Sequence, residues 1–524
     1  MTARAGRLPG PGPLDRRGFL EQLSGFSLAL AGVPLARRWT RPAFGADPFT
    51  LGVASGDPAP DGFVLWTRLA PDPWRGGGMR PERVAVGWEL AADEGMRRIV
   101  RRGTADAAPE LGHSVHVEIG GLAPDRWYFY RFHAGGAVSP VGRARTVPAA
   151  AVPASRMRFA FASCQHYEQG LYTAYRHMAA EELDLVVHLG DYIYEYEGRL
   201  DRARMHTGTE LESLDDYRNR YALYKTDPDL QAAHAAFPWV VTWDDHEVSN
   251  NYAGAVSARN DPAEAFLRRR AAAYQAYYEH MPLRRTSLPR GADLRLYRSL
   301  RFGRLASIHM LDTRQYRDDQ VCGDGVKPAC PDALDPARTV LGAAQERWLT
   351  GQLTGSPGGW NVLGQQILMA SMPESGEEGQ PPRFGMDNWN GYQGARQRLL
   401  DFLAARGKGD TVVLTGDIHT SFAADLKQRF DDSAAPAIAV EFVGTSISSG
   451  GDGMEEWPSW PRIAPNAPHI RYHCARRGYV RCEVTPDRWR SDYRLLPFVV
   501  QPDAPVETRA SFVTAFGRPG LERA

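Results

Sequence analysis

Four apolar runs in the sequence are each followed by side chains that bind metal ions. The residues that follow them are Cys164; Asp191 with Tyr194; Asp244, Asp245 and His246 with Asn250; and Asp417 with His419. Taken one at a time, each group has a simpler explanation. A cysteine after a strand is usually a small buried hydrophobe, and an aspartate there is usually a turn residue or a helix cap. Random placement would rarely put all four groups after apolar runs, so together they indicate one site.

The donor types of these side chains suggest a particular chemistry. Thiolate and phenolate are anionic donors that favour a trivalent Lewis acid such as iron(III), whereas carboxylate and amide oxygens suit calcium or magnesium. A site with both donor types can hold a phosphate ester, and a metal-bound hydroxide formed near neutral pH can attack its phosphorus. His246 would then be free to protonate the leaving oxygen.

The apolar runs themselves are typical of buried strands in an α/β fold. The run 185–189 contains four aliphatic residues and ends at Gly190-Asp191, as expected for a parallel strand covered on both faces. Similar runs cover residues 158–162, 239–243 and 411–415. Ligands of open α/β sheets bind beyond the carboxyl ends of the strands, so we expect the four groups to converge at one edge.

The first 46 residues have the order of parts found in an export signal. A basic start contains the pair Arg16-Arg17, a mildly apolar stretch covers residues 26–35, and small residues lead to Ala46. The paired arginines indicate a twin-arginine signal, and the apolar stretch is too short to span a bilayer. We therefore expect a periplasmic or secreted protein with the twin-arginine export machinery as a partner and with no membrane span in the mature chain.

The remaining sequence divides into an all-β part and an α/β part. Short β-rich runs separated by Pro, Gly and Asp turns predict an immunoglobulin-like or fibronectin-like sandwich over residues 47–147. Residues 157–500 are predicted to form the α/β catalytic domain, and residues 501–524 a C-terminal tail. The net charge is zero, without a long run of like charge, which argues against a dedicated nucleic-acid binder.

Five cysteines bear on the compartment and on the site. An exported protein meets an oxidising environment, where local pairing of Cys322 with Cys330 and of Cys474 with Cys482 would leave Cys164 free. The sequence alone does not determine this connectivity. A free Cys164 agrees with its place among the candidate metal ligands.

Three short motifs carry a resemblance to a known superfamily. Gly190-Asp191-x-x-Tyr194, Asp245-His246-Glu247 and Gly416-Asp417-x-His419 resemble the motif series of calcineurin-like metallophosphoesterases. The chain resembles PhoD-like alkaline phosphatases more closely, through the stretches 49–58, 65–68, 162–164, 189–196, 242–251, 312–317 and 415–420. Cys164 at the first strand and Asp417 at the last motif depart from the general series and match that subgroup.

This resemblance implies a four-layer αββα metallophosphatase core, and an exported alkaline phosphatase or phosphodiesterase that uses iron (Fe3+) and calcium (Ca2+). It implies that the iron is surrounded by Cys164, Asp191, Tyr194 and His419. Asp191 would bridge to calcium, which would be held by Asp417 with Asp245 or Asn250. Which of the residues at 244, 245, 250 and 251 bind a metal stays open.

Two further positions follow from the same resemblance. Arg314 is a candidate phosphate contact, and a structural ion pair with Asp312 or Asp318 is about as plausible an explanation for it. Asn390 occupies a position where we expect aspartate in close relatives. This difference affects the detailed prediction for the residues at the rim of the substrate site.

Two other functions remain open from the sequence. One is a phospholipase D-type phosphodiesterase on the same scaffold, which would differ in the loops 199–235, 318–340 and 371–395. The other is a non-catalytic cell-surface binding protein with the sandwich as its working module. Intact donors at all four strand ends argue against the second. We expect a monomer that acts on phosphate monoesters or diesters.

Overall fold

The computed structural model describes residues 43–374 and 380–524. Nearly all of the predicted twin-arginine signal therefore lies outside the described residues. Within the described ranges, none of the helices combines the length and the apolar character needed to cross a membrane.

The N-terminal part of the described chain is built from eight strands. They are Val53–Ala59 (β1), Gly62–Arg68 (β2), Val84–Ala91 (β3), Ile99–Ala107 (β4), Ser114–Ile119 (β5), Trp127–Ala134 (β6), Ala137–Val138 (β7) and Gly142–Arg145 (β8). β3, β4, β6, β7 and β8 form a five-stranded sheet, and β2 pairs with both β1 and β5. Side chains of both groups, such as Phe63 and Tyr130, share one hydrophobic core.

The larger part of the chain alternates strands and helices. Its strands are Met157–Ala162 (β9), Leu185–His188 (β10), Pro238–Val241 (β11), Arg298–Phe302 (β12), Ala306–Met310 (β13), Val326–Pro328 (β14), Trp360–Gly364 (β15), Arg383–Gly385 (β16), Thr411–Thr415 (β17), Ser421–Lys427 (β18), Ala437–Val443 (β19), Gly453–Met454 (β20), Ile470–Val484 (β21), Arg488–Leu496 (β22), Glu507–Ala515 (β23) and Arg518–Arg523 (β24). Its α-helices are Thr173–Ala179 (α1), Leu214–Lys225 (α2), Pro228–Ala236 (α3), Ala263–His280 (α4), Pro331–Leu334 (α5), Gly342–Thr354 (α6), Gln393–Arg406 (α7) and Trp460–Ile463 (α8).

A large mixed sheet of 17 strands organises the molecule. In one half, β10 lies parallel to both β9 and β11. In the other half, β13, β15, β17 and β19 are parallel neighbours. The 15-residue strand β21 joins the halves, because it pairs with β18 near its start and with β9 near its end.

The two halves of the sheet face each other, and helices cover their outer faces. Along β10 the side chains alternate: Val186 packs in the core shared with α1 to α4, whereas Val187 packs in the core between the two halves. On the far side, Val413 of β17 packs with Leu349 of α6 and Leu399 of α7. The resulting order is helix, sheet, sheet, helix, in agreement with the layers predicted for the core.

Three sequence-based expectations need correction. The N-terminal sandwich is not a separate module, because β1 also pairs in parallel with β11 of the α/β part. Residues 501–524 are not a tail, since β23 and β24 extend the large sheet beyond β22. The Cys474–Cys482 pair is wrong as well: both cysteines are free, whereas the Cys322–Cys330 disulfide is formed.

Strand geometry explains why Cys474 and Cys482 cannot pair. Both lie on β21, eight residues apart. An extended chain advances about 3.3 Å per residue, which separates them by about 26 Å. A disulfide requires Cα atoms within about 7 Å of each other.

Replacing Lys225, at the end of α2, with methionine should stabilise the protein at neutral pH. Its ammonium group is buried over the ring of Trp66, 4.3 Å from the centroid, and burial lowers its pKa to about 7. Between pH 7 and the ordinary value of 10.5, the unfolded chain therefore binds a proton that the folded chain does not. This lysine costs stability at and below pH 7, and the cost disappears as the pH rises toward 10.5.

We expect Lys225→Met to raise the free energy of unfolding at pH 7 by about 2–4 kcal/mol, and to add little near pH 10.5. Urea unfolding at a series of pH values measures both quantities. The exposed Lys408→Met variant is the control. A gain that does not depend on pH would contradict the assignment to the buried charge.

Candidate metal centre

The chain turns sharply at three of the four strand ends that carry candidate donors. Cys164, Asp191, Asp417 and His419 all have left-handed backbone conformations, with φ between 55° and 63°. Such φ values are uncommon outside glycine and concentrate at functional sites. Gly190 also matters, since a Cβ there would lie 2.5 Å from the Cβ of Asp244. Glycine thus lets the ends of β10 and β11 approach closely.

The turns bring the predicted donors into two groups that share neighbours. In the first group, ligand atoms of Cys164, Asp191 and His419 lie within 4.8 Å of one another. In the second group, carboxylate oxygens of Asp244, Asp245 and Asp417 satisfy the same limit. A third set within this distance, Asp191, Asp245 and His246, connects the two groups.

Tyr194 belongs with the first group. Its hydroxyl donates to Asp191 Oδ2 at 2.8 Å and lies 3.2 Å from Nε2 of His419. The hydroxyl of Ser449 donates to the Tyr194 oxygen at 2.7 Å. The side chain predicted as a phenolate ligand therefore faces the thiol, carboxylate and imidazole predicted to bind the same ion.

The charges in the two groups fit bound cations. Asp191 Oδ1 and Asp244 Oδ2 are buried without a hydrogen-bond partner. Burial, together with neighbouring carboxylates, raises the pKa of Asp191 and of Asp417 well above the usual range. Burial also raises the pKa of Asp244 to about 6. Buried carboxylates that repel one another are stabilised by a cation, and thiol, phenol, imidazole and carboxylate are all metal donors.

Glu247 holds the turns of the site together. Its carboxylate accepts backbone N–H groups of Asp191 at 3.0 Å, Tyr192 at 2.7 Å and Asp244 at 2.8 Å. Burial raises its pKa to about 8. One side chain thus fixes the loops after β10 and β11 relative to each other.

His246 is oriented by a residue that sequence reasoning missed. Its Nδ1 lies 2.7 Å from Oε2 of Glu195, and the other oxygen of Glu195 accepts the backbone N–H of Asn250 at 2.7 Å. Burial alone would lower the pKa of His246, but Glu195, Asp245 and Asp191 raise it well above the usual value. His246 is therefore favoured as a proton donor.

Asn250 lies at the rim of the site. Its side-chain oxygen accepts a hydrogen bond from the Tyr196 hydroxyl at 3.1 Å. Tyr196 packs edge-on against the ring of His246, with centroids 5.2 Å apart. The amide predicted as a calcium ligand is thus held beside the histidine.

Arg314 is fully buried among carboxylates. Its side chain donates to Asp244, to Asp387 at 2.7 and 3.0 Å, and to Asp417 at 3.3 Å. The alternative explanation, an ion pair, holds with other partners than Asp312 or Asp318, since Asp312 accepts from the backbone N–H of Arg314 and not from its guanidinium. Sequence reasoning missed Asp387, which follows a three-residue strand and no apolar run.

Asn390 has a structural role. Its side chain accepts from Arg396 at 2.7 Å, and it donates to the carbonyl of Ala370 and to Asn388. These contacts occupy the amide within the buried segment that precedes α7.

Comparisons with known proteins agree with this geometry. The family model described as PhoD-like phosphatase matches residues 159–493, and the model of the N-terminal domain of the same family matches residues 35–148. Alkaline phosphatase D of Bacillus subtilis (strain 168) is 51% identical over 520 residues, which cover 97% of this chain and 89% of that protein. A solved structure described as the structure of PhoD aligns with a TM-score of 0.90 at 52% identity, over 92% of this chain and 93% of that chain. The chain belongs to the PhoD-like phosphatase family.

Proposed function

We propose that this chain is an exported, metal-dependent alkaline phosphatase and phosphodiesterase that hydrolyses phosphate esters at the centre described above. The observation that carries the proposal is the pair of adjoining donor groups connected through Asp191 and Asp245. The 51% identity to a protein named alkaline phosphatase D supports the same activity.

The donor types favour iron(III) in the first group and calcium in the second. Cys164, Asp191, Tyr194 and His419 would hold the iron. Asp245 and Asp417 would hold calcium together with Asp244, one of the positions that the sequence left open, and Asn250 is a further candidate ligand. When bound, such cations supply Lewis acidity toward phosphoryl oxygens and make a coordinated water more acidic.

The side chains of the protein provide proton transfer and positioning. Glu195 holds Nδ1 of His246, which leaves Nε2 to serve the substrate as a proton donor to the leaving oxygen. Arg314 points at carboxylates, so we assign it a positioning role: it orients Asp244 and Asp417. This positioning role replaces the direct phosphate contact that was predicted for Arg314.

Changing Glu195 to glutamine should lower kcat about 10- to 100-fold with little change in KM. An amide cannot hold a protonated imidazole as a carboxylate does, so His246 loses both orientation and charge support. Steady-state kinetics with parallel metal analysis measures the effect. The exposed Glu197→Gln variant is the control, and equal loss in both variants would contradict a specific role for Glu195.

Export of the chain is supported by separate observations. The order of the N-terminal segments and the Arg16-Arg17 pair favour the twin-arginine pathway. The Cys322–Cys330 disulfide favours an oxidising compartment, as expected for a periplasmic or secreted enzyme.

The test of this function compares three substrates: p-nitrophenyl phosphate, bis(p-nitrophenyl) phosphate and phosphatidylcholine vesicles. Each is assayed after chelation and again after calcium is restored. We expect hydrolysis of the monoester and the diester that chelation abolishes and calcium recovers. Release of choline alone would favour a phospholipase D-type enzyme. No hydrolysis of any substrate by metal-loaded protein would favour a binding protein.

A further inference from the structure

A small cap beside the metal centre is formed by two stretches that are distant in sequence, residues 318–338 and 383–388. The Cys322–Cys330 disulfide closes the first stretch. β14 of the first stretch pairs with β16 of the second, and the N–H of Met386 donates to the carbonyl of Gly325 at 2.9 Å. Met386 also packs with Val321 in a separate hydrophobic cluster. The cap is thus a small unit with its own core.

The cap carries Asp387 into the site. Both carboxylate oxygens accept from Nη1 of Arg314, and Nη1 of Arg317 lies 3.2 Å away. The side-chain amide of Gln320, also in the cap, donates to the same carboxylate. Asp387 thus faces side chains of Arg314, Arg317 and Gln320, which favours a role as an anchor for Arg314 over a role as a metal ligand.

The other edge of the Arg314 guanidinium faces the second donor group. The guanidinium donates to Oδ1 of Asp244 and to Oδ1 of Asp417, whereas Oδ2 of Asp244 has no hydrogen-bond partner. Asp245 Oδ1 lies 3.5 Å from Nη2. Arg314 therefore contacts the same three carboxylates that could hold a cation.

We propose that Asp387 is a positioning residue that keeps Arg314 at the edge of the second donor group, and that the disulfide-closed cap holds Asp387 in place. Without Asp387, the nearest carboxylates to the guanidinium are those of Asp244, Asp245 and Asp417. The guanidinium would then compete with a divalent cation for them. The inference rests on the proposed function in that it takes calcium as the ion of this group.

A second path connects the cap to the same donor group. Asp324 accepts from the side-chain amide of Asn251 at 3.0 Å, and Gln320 donates to the Asn251 carbonyl at 2.7 Å. The backbone N–H of Asn251 donates to Asp245 Oδ2 at 2.6 Å. Loosening the cap would therefore disturb Asp245 as well as Arg314.

Calcium binding by the full-length protein tests the role of Asp387. After chelation, calorimetric titration with calcium should give a dissociation constant about tenfold higher for Asp387→Asn than for the native protein. In activity assays KM should rise, whereas kcat at saturating calcium should change less than about threefold, because the proton donor is untouched. Asp332→Asn, at an exposed position of the same cap, should leave both quantities unchanged.

The disulfide is tested by replacing both Cys322 and Cys330 with serine. We expect calcium binding to weaken at least as much as in Asp387→Asn, and we expect the double change to weaken it by clearly less than the product of the two separate effects, since both changes act in part through the contact between Asp387 and Arg314. Cys482→Ser, a buried cysteine that contacts the hydroxyl of Ser491, is the matched control. Thermal unfolding without calcium shows whether each variant is folded.

Unchanged calcium affinity in Asp387→Asn would overturn the inference, as would fully additive effects of the two changes. A native protein that hydrolyses phosphate esters but binds no calcium would overturn the inference and retain the proposed function. A native protein with cap-dependent calcium binding and no hydrolysis of phosphate esters would support the inference and overturn the proposed function.

Discussion

Replacing Asp191 with asparagine should lower kcat/KM by about 1,000-fold or more, which corresponds to about 4 kcal/mol in the activation barrier. Asp191 lies in the first donor group and in the set that connects it to the second, so the change removes a charge that both groups use. Asparagine has the same shape and also tolerates the left-handed backbone, with φ at 56° in the native protein. The fold should therefore persist while the charge is lost.

Steady-state kinetics and elemental analysis of the same preparation measure this effect, and we expect less than one equivalent of iron to remain bound. Asp503→Asn is a matched control, because Asp503 is an exposed aspartate with a φ of 62°. Native activity with full metal content in Asp191→Asn would contradict the assignment of Asp191 as a metal ligand.

Replacing Cys164 with alanine should lower activity by about 100-fold or more and should release the iron. Cys164 is the only thiol in the first donor group, and burial together with Asp191 raises its pKa well above the usual range. A buried thiol in this environment gives up its proton when a metal ion binds to it. The native protein should be coloured by charge transfer between the Tyr194 phenolate and iron(III), and Cys164→Ala should be colourless.

Two variants make the colour test specific. Tyr194→Phe should lose the visible band, and its metal analysis shows how far the phenolate contributes to iron retention. Cys482→Ala removes another buried thiol, outside the donor groups, and should keep both colour and activity. A native preparation from iron-replete cells that is colourless and free of iron would contradict the iron site as drawn. Near-native turnover in Cys164→Ala would indicate that Cys164 is a buried core residue and not a metal ligand.

The candidate donors could be predicted from the sequence because each follows an apolar run. A run such as 185–189 encodes burial on both faces, and the carboxyl ends of neighbouring parallel strands meet at one edge. β9, β10 and β11 are such neighbours, so Cys164, Asp191 and Asp244 had to lie close together. The strand β17 belongs to the other half of the sheet and brings Asp417 to the same place.

Residues that support the donors carried no comparable signal. Asp387 reaches the site from a segment that is held by the Cys322–Cys330 loop, and no apolar run precedes it. Glu195 follows Tyr194 directly, but its partner His246 is 51 residues away. Ion pairs of this kind depend on which loops are neighbours in space, and local periodicity does not contain that information.

Strand pairing at long range explains the remaining errors. Residues 47–147 were predicted to form a sandwich, and the parallel pairing of β1 with β11 joins this part of the chain to residues about 180 positions away. Residues 501–524 were predicted to be a tail. In the structure, β23 pairs with β22, and β24 pairs with β23, so both strands extend the sheet. The sequence by itself predicted the candidate donor residues and the strands that end in them, since both follow from local hydrophobic patterns and donor chemistry, whereas the layered core was implied by the family resemblance. Only the tertiary structure decided the sheet's outer strands, the partners of Arg314 and His246, and the cap that carries Asp387, because these depend on contacts between distant segments.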